Sequence, residues 1–302
     1  MRESDAAPLV SVVVPHYADL AGLDLCLAAL RAQSLPRERF EIVVADNGSP
    51  QGEAAVAAAI AGRARLAMAP ERGAGPARNA AVAATRGRIL AFTDADCRPE
   101  PDWLAEGIEA LETFDFVGGR MVVLVEDREA MTAAEAFETV FAFDNEAYVR
   151  DKGFSVSANL FCPAALFAAV GGFRAGVSED VEWCRRATAA GYRLGYAPRA
   201  VVGHPARRTW PELRAKWRRT NAESRRLMEE RPGGRLRWFL RCLVLPASAV
   251  VHTPRTLFSP SLPGVRSRLG ALGMLYRLRG WRFSDGLRLS VARRAPADGD
   301  RG

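Results

Sequence analysis

The first hundred residues alternate buried strands with amphipathic helices, and this alternation constrains the fold more than any other feature. "LVSVVVP", from Leu9 to Pro15, is a β-branched apolar run of the kind found in strands covered on both faces. "LDLCLAALRAQ" places Leu23, Leu27 and Leu30 at helical spacing. "FEIVVADNGS" reads as a second strand that ends in Asp46 and a turn. A helix over 51–61 and a short strand "RLAMA" follow. "GPARNAAVAATRG" is then a helix with Pro76 near its start and Gly87 just past its end, and "RILAFTD" is the next strand. Strands separated by helices pair in parallel, and ligands of such sheets sit outside the carboxyl ends of the strands.

Three of those ends carry polar residues: the stretch from His16 to Asp19, Asp46 with Asn47, and Asp94 with Asp96. Each alone reads as an ordinary turn. Together at one sheet edge they read as a site. Asp94 and Asp96 alternate on an extended chain, so their side chains diverge while the strand stays regular. One carboxylate then binds a cation, and the other reaches a ribose, a water or, after a bend, the same ion. Oxygen ligands suit Mg2+ or Mn2+, which bridge carboxylates to phosphates.

Beyond residue 100 the pattern loosens. "FVGGRMVVLVE" is a strand with a glycine pair, and the spacing predicts one helix over 132–149 with Ala136, Val140 and Phe143 on its apolar face. Ser178, Glu179 and Asp180 open an acid-headed helix that stops at Gly191, and "YRLGYA" is a short strand. The five cysteines are scattered and never spaced C-x-x-C. That argues against a disulfide framework or a zinc cluster and suits a reducing compartment. The N-terminus shows no basic segment followed by an apolar core, so no secretory signal is expected.

Six pieces in order, "SVVVPHYAD", "FEIVVADNGS", "GPARNAAVAATRGRILAFTDADC", "SANLF" with "VGGF", "SEDVEW" and "YAPRAVVGH", give the chain a resemblance. Over Val10 to about Pro205, two thirds of its length, it resembles the family 2 glycosyltransferases. The resemblance implies a GT-A, Rossmann-like fold: a mixed, mainly parallel α/β sheet flanked by helices. It implies a hexosyltransferase-like enzyme that takes a UDP, GDP or dTDP sugar and inverts the anomeric centre. Carried over by position, Pro15, His16, Tyr17 and Asp46 hold the nucleoside base, with the backbone of His16 more involved than its ring. Arg72 and Arg78 lie near base and phosphates. Asp94 touches ribose or metal, Asp96 ligates Mn2+ or Mg2+, and Asp180 is the catalytic base, with Glu179 the alternative. His204 is a further metal ligand or merely a strand-end residue. Asn159 borders donor sugar and acceptor, or is a buried polar residue satisfied by backbone. Two departures stand out. Ala18 replaces the usual Asn, and the Gln-x-x-Arg-Trp motif of processive relatives is absent after Asp180, which argues for transfer of one sugar.

Other function classes fit less well. A sugar-phosphate nucleotidyltransferase needs a Gly-rich basic loop after the first strand, which "VVVPHYADL" lacks. A non-catalytic nucleotide-sugar or glycan binder has no need of Asp96, Asp180 and His204 together. Charge divides the chain. Residues 207–302 hold 22 Arg and Lys against 7 Asp and Glu, whereas residues 1–206 hold 20 against 28. The expected division is a catalytic domain over 1–206 and a basic α-helical C-terminal extension over 207–302. Thr209 and Glu212 form a capping box with Pro211 in the first turn. The apolar segments after it, interrupted by Arg237, Arg241 and Pro246, are too short to span a bilayer. They suit helices in the interface of an anionic membrane, or a helical subdomain packed on the catalytic body. No nucleic-acid motif accompanies the charge. The expected setting is cytoplasmic, peripheral at the inner face of the cell membrane, with a glycan or lipid-linked acceptor. "ARRAPADGDRG" at the C-terminus is expected to be disordered.

Overall fold

The structure is a computed structural model that describes residues 7–291. The C-terminal stretch from Ala292 lies outside them. The chain forms two compact units, Met1–Leu124 with Ala142–Pro205, and Val125–Phe141 with Ala206–Gly302.

In the first unit the alternation becomes β1 (Val10–His16), α1 (Leu20–Arg31), β2 (Phe40–Asp46), α2 (Glu53–Ile60), β3 (Arg65–Met68), α3 (Ala74–Ala83) and β4 (Ile89–Phe92). Then come β5 (Arg98–Pro99), α4 (Trp103–Ala110) and β6 (Phe116–Leu124). After α5 (Ala133–Phe141), which belongs to the second unit, follow α6 (Asn145–Lys152), β7 (Leu160–Pro163), α7 (Ala164–Val170), α8 (Glu179–Ala189) and β8 (Leu194–Pro205).

One sheet orders the strands β3-β2-β1-β4-β7-β6-β8-β5. β1 pairs in parallel with β2 and β4, β2 with β3, and β6 with β8. β7 runs antiparallel to β4 and β6, and β5 antiparallel to β8. The reversal of β7 sets its first residue, Leu160, beside the end of β4 at Phe92. Both faces of β1 are covered, which is why the run lacks polar alternation. Val10, Val12 and Val14 meet Leu23, Leu27 and Leu30 of α1 on one side. Val13 packs with Val43 and Phe92 against Ala77 and Ala81 of α3 and Trp183 of α8 on the other. The glycine pair of β6 has a steric cause. A Cβ on Gly118 would fall 2.2 Å from Ser155 Oγ, and one on Gly119 2.3 Å from the Ala200 carbonyl oxygen.

The helix expected over 132–149 is instead two helices. α5 ends at Phe141, and Asp144 caps α6 by accepting from the Ala147 amide. Asp is a strong N-cap, so the chain restarts there. Ala136 and Val140 are buried in the second unit, whereas Phe143 packs on His204 in the first.

The second unit comprises α5, α9 (Trp210–Glu229), α10 (Gly234–Leu257) and α11 (Val265–Val291). Ala134 and Phe137 of α5, Leu213 of α9, Ala249 of α10 and Leu275 and Leu278 of α11 share one core. Thr209 and Glu212 make the reciprocal capping box, with Pro211 in the first turn. The segment interrupted by Pro246 in the sequence is a single helix, which runs through both Pro246 and Pro254. Both prolines are exposed, and Trp238, Cys242, Leu245 and Ala249 keep the opposite face packed across the first of them. Glu138 of α5 is buried and accepts from Lys216 Nζ at 2.8 Å and from Arg207. Among the described residues no helix is long and apolar enough to cross a membrane. All five cysteines are free and buried.

Candidate active site

The carboxyl ends of β1, β2 and β4 lie side by side. His16 and Asp46 face each other in register, with Nδ1 2.9 Å from Oδ1. Ser49 donates to the same carboxylate from its amide and its hydroxyl. Burial alone would raise the Asp46 carboxyl, but hydrogen bonds from Ser49 and then His16 outweigh it and hold the group below the usual range. His16 is buried and its Nε2 has no hydrogen-bond partner. Its ring braces the base of the loop. Pro15 is half-buried and Tyr17 exposed. Ala18 adopts φ +63°, with its amide held by Ser49 Oγ and its carbonyl by Gln51. Asn47 clamps the loop before α3, donating to the Glu71 carbonyl and accepting from the Gly73 amide, each at 2.7 Å. Arg72 stands exposed between those two anchors.

β4 stops at Phe92, and the Cys97 amide donates to the Asp94 carbonyl at 3.0 Å. The chain therefore turns over 94–97, and the divergence of a regular strand does not apply. Ligand atoms of Asp94, Asp96 and Cys97 lie within 4.8 Å of one another. The Cys97 thiol is wholly buried. That burial, then the charges of Asp94 and Asp96, push its pKa well above the ordinary value, so it stays protonated.

His204 lies near the end of β8, beside Asp96. Its Nε2 is 3.4 Å from Asp96 Oδ2, and its Nδ1 is 2.7 Å from the Pro205 carbonyl oxygen. A carbonyl only accepts, so Nδ1 donates to it and Nε2 is the ring nitrogen that faces the carboxylate. An imidazole nitrogen beside a carboxylate suits a divalent cation, and the Nδ1 hydrogen bond is the support that ligating histidines usually have.

Arg78 of α3 is buried and links two elements. It donates to Asp94 of the turn and, at 3.0 Å, to Glu179 at the start of α8. Glu179 is thereby engaged. Asp180 accepts from the adjacent Val181 amide, at 2.7 Å. Burial first, and the charge of Glu179 second, push its carboxyl up to about 7, against the pull of Val181 and Arg78.

Arg78, Asp94, Glu179 and Asp180 thus form one electrostatic cluster, with Asp96 and His204 on the adjoining turn and strand. Asn159 has its own set of partners. It is fully buried, accepts from Trp103 Nε1 at 2.9 Å, and donates to the carbonyls of Arg120 and Ala200. Its amide protons are spent on pinning β6, β7 and β8 together, the backbone-satisfied alternative for this residue. Ser49 and Phe173 were not singled out from sequence. Ser49 was visible as the last residue of "DNGS". Phe173, whose ring lies 5.9 Å from the Arg78 guanidinium, is apparent only in three dimensions.

Comparison with known proteins gives this arrangement a context. The sequence model described as "Glycosyl transferase family 2" matches residues 11–170, just over half of the chain. Glycosyltransferase AglE of Haloferax volcanii is 32% identical over 208 residues, covering 66% of this chain and 68% of that protein. A pre-mycofactocin glycosyltransferase of Mycobacterium tuberculosis is 30% identical over 208 residues, 66% of this chain and 43% of that one. Among solved structures, the mannosyltransferase PcManGT from Pyrobaculum calidifontis, in complex with GDP-Man and Mn2+, is similar with a TM-score of 0.52. It shares 20% identity over 97% of this chain and 78% of its own. GalNAc-T7 with UDP, GalNAc and Mn2+ has a TM-score of 0.52 at 17% identity, over 68% of this chain and 45% of that one. At such identities the structural likeness is one of fold, and the fold is GT-A.

Proposed function

This chain belongs to glycosyl transferase family 2, and we propose that it transfers one sugar from a nucleotide-diphosphate sugar to an acceptor hydroxyl with inversion. Pro15, His16, Tyr17, Asp46 and Arg72 bind the nucleotide. Asp46 is held ionised for that role, and Arg78 orients Asp94 toward the ribose side. Asp96 and His204 hold Mn2+ or Mg2+, which when bound stabilises the negative charge of the departing diphosphate. Asp180 takes the acceptor proton. A carboxyl near 7 is partly ionised at neutral pH and still basic enough to accept it. Glu179 is less available, because Arg78 occupies it. One displacement needs no covalent nucleophile. The acceptor is a glycan or lipid-linked, met at the cytoplasmic face of the cell membrane, a setting that the basic surplus of residues 207–302 supports.

The observation that carries the metal-assisted reading is the gathering of Asp94 and Asp96 on one turn, with His204 Nε2 3.4 Å from Asp96 Oδ2. The test is a thermal-shift series with UDP, GDP and dTDP, with Mn2+ or with chelator. A ligand that binds only the folded chain raises its Tm. One diphosphate is expected to raise Tm with Mn2+ and far less with chelator, and Asp96→Asn should lose the Mn2+-dependent part. No shift with any diphosphate, or an unchanged Mn2+ effect in Asp96→Asn, contradicts the reading.

A further inference from the structure

α10 has two apolar faces. One turns Trp238, Cys242, Leu245 and Ala249 into the interior. The other carries Leu236, Leu240, Leu243, Val244 and Val251 at helical spacing, and these side chains are 46–74% exposed. A helix with one core face ordinarily turns a polar face to solvent. This outward stripe runs unbroken by any acid, because α10 contains no Asp or Glu at all. From Leu236 to Val251 it extends about 22 Å at the helical rise of 1.5 Å per residue. At 100° per residue, Arg237 and Arg241 stand one turn apart along one flank and Arg235 on the other, all three exposed. Arg241 lies over the Trp238 ring at 5.8 Å, a contact that leaves its charge uncancelled.

We propose that this outward face of α10 docks on an anionic lipid bilayer, lying flat with its leucines and valines among the acyl chains and its arginines against lipid phosphates. The proposal rests on the membrane-surface reading above and names the surface responsible. Charge complementarity selects the occupant. An apolar stripe flanked by arginines matches an interface that is apolar below and anionic above. A second copy would bring the same acid-free surface and no counter-charge. Lying flat also agrees with the absence, among the described residues, of a helix able to span.

The test is flotation of the full chain with vesicles of phosphatidylcholine alone and of phosphatidylcholine mixed equally with phosphatidylglycerol. The wild-type chain should float with the anionic vesicles and not with the neutral ones. Leu240→Ser with Val244→Ser should weaken binding at least about tenfold, since both side chains lose their apolar transfer. Arg237→Gln with Arg241→Gln should weaken it about tenfold or more, through lost headgroup attraction. All four positions are exposed, so both variants should keep the wild-type Tm and its Mn2+-dependent nucleotide shift. Equal binding by the Leu240→Ser, Val244→Ser variant overturns this face while leaving a membrane role standing. No binding by the wild-type chain removes both. A stable dimer that the same variant converts to monomers also overturns the proposal, in favour of a second copy. The assay reads no sugar transfer, so a failure of the catalytic reading would not disturb it.

Discussion

At the scale of single residues, partners far away in sequence decide what a site residue can do. Two acids open α8, and nothing local says which one is free. Arg78, 101 residues before Glu179, engages Glu179 and leaves Asp180 half-buried beside a like charge. The same holds for Asp94 and Asp96. Their spacing was legible, but the turn closed by Cys97 was not, and the turn gathers them. Ala18 shows the reverse case, a departure readable in sequence whose meaning needed the backbone. It sits at φ +63°, where Asn is tolerated and other L-residues lose about 1–2 kcal/mol. Glycine avoids that strain and gives back about 0.5–1 kcal/mol through its greater freedom when unfolded. Ala18→Gly should therefore stabilise the chain by roughly 0.5–1 kcal/mol in denaturant titration. A loss of stability would mean that this loop is not left-handed in solution.

At the scale of elements, apolar periodicity located helices well and their ends poorly. The stripe of Ala136, Val140 and Phe143 continues in phase past the end of α5 at Phe141, so the break between α5 and α6 was hidden although a good cap, Asp144, stood in plain view. The charge count along the sequence did not reveal that α5 belongs with α9, α10 and α11, because its links are apolar packing and a buried ion pair. Lys216 and Arg207 converge on Glu138. Burial would raise the Glu138 carboxyl, but Lys216 and Arg207 win and hold it below the ordinary range. Glu138→Ala removes the buried carboxylate on which both cations converge and should cost about 3–5 kcal/mol by urea denaturation. A carboxyl with a lowered folded pKa stabilises above its ordinary range and loses that contribution as pH falls through the folded value. The gap between wild type and variant should therefore shrink in acid. A gap that is small at neutral pH, or that grows in acid, would show that the pair does not hold α5 to α9.

At the scale of the whole molecule, the parallel order of β1 to β4 followed from strand and helix alternation, and so did the edge on which the polar residues gather. The reversed β7 and the length of β8 did not, because both depend on pairing between strands distant in sequence. β8 matters most, since its far end brings His204 to Asp96. The central claim is that Asp180 takes the acceptor proton at this edge. The most direct measurement is the rate of sugar transfer by purified Asp180→Asn against wild type from acid to mildly alkaline pH, with Tm recorded alongside. Wild-type transfer should rise with pH and level off above about 7, as Asp180 ionises. The variant should be slower by roughly 10²–10⁴-fold. An acid whose folded pKa is raised stabilises the fold below its unfolded pKa and loses that contribution as pH climbs through about 7. The variant should thus melt higher than wild type in alkali while keeping the Mn2+-dependent nucleotide shift, which separates lost chemistry from lost folding. Transfer by Asp180→Asn at the wild-type rate, with the same pH profile, would contradict the account.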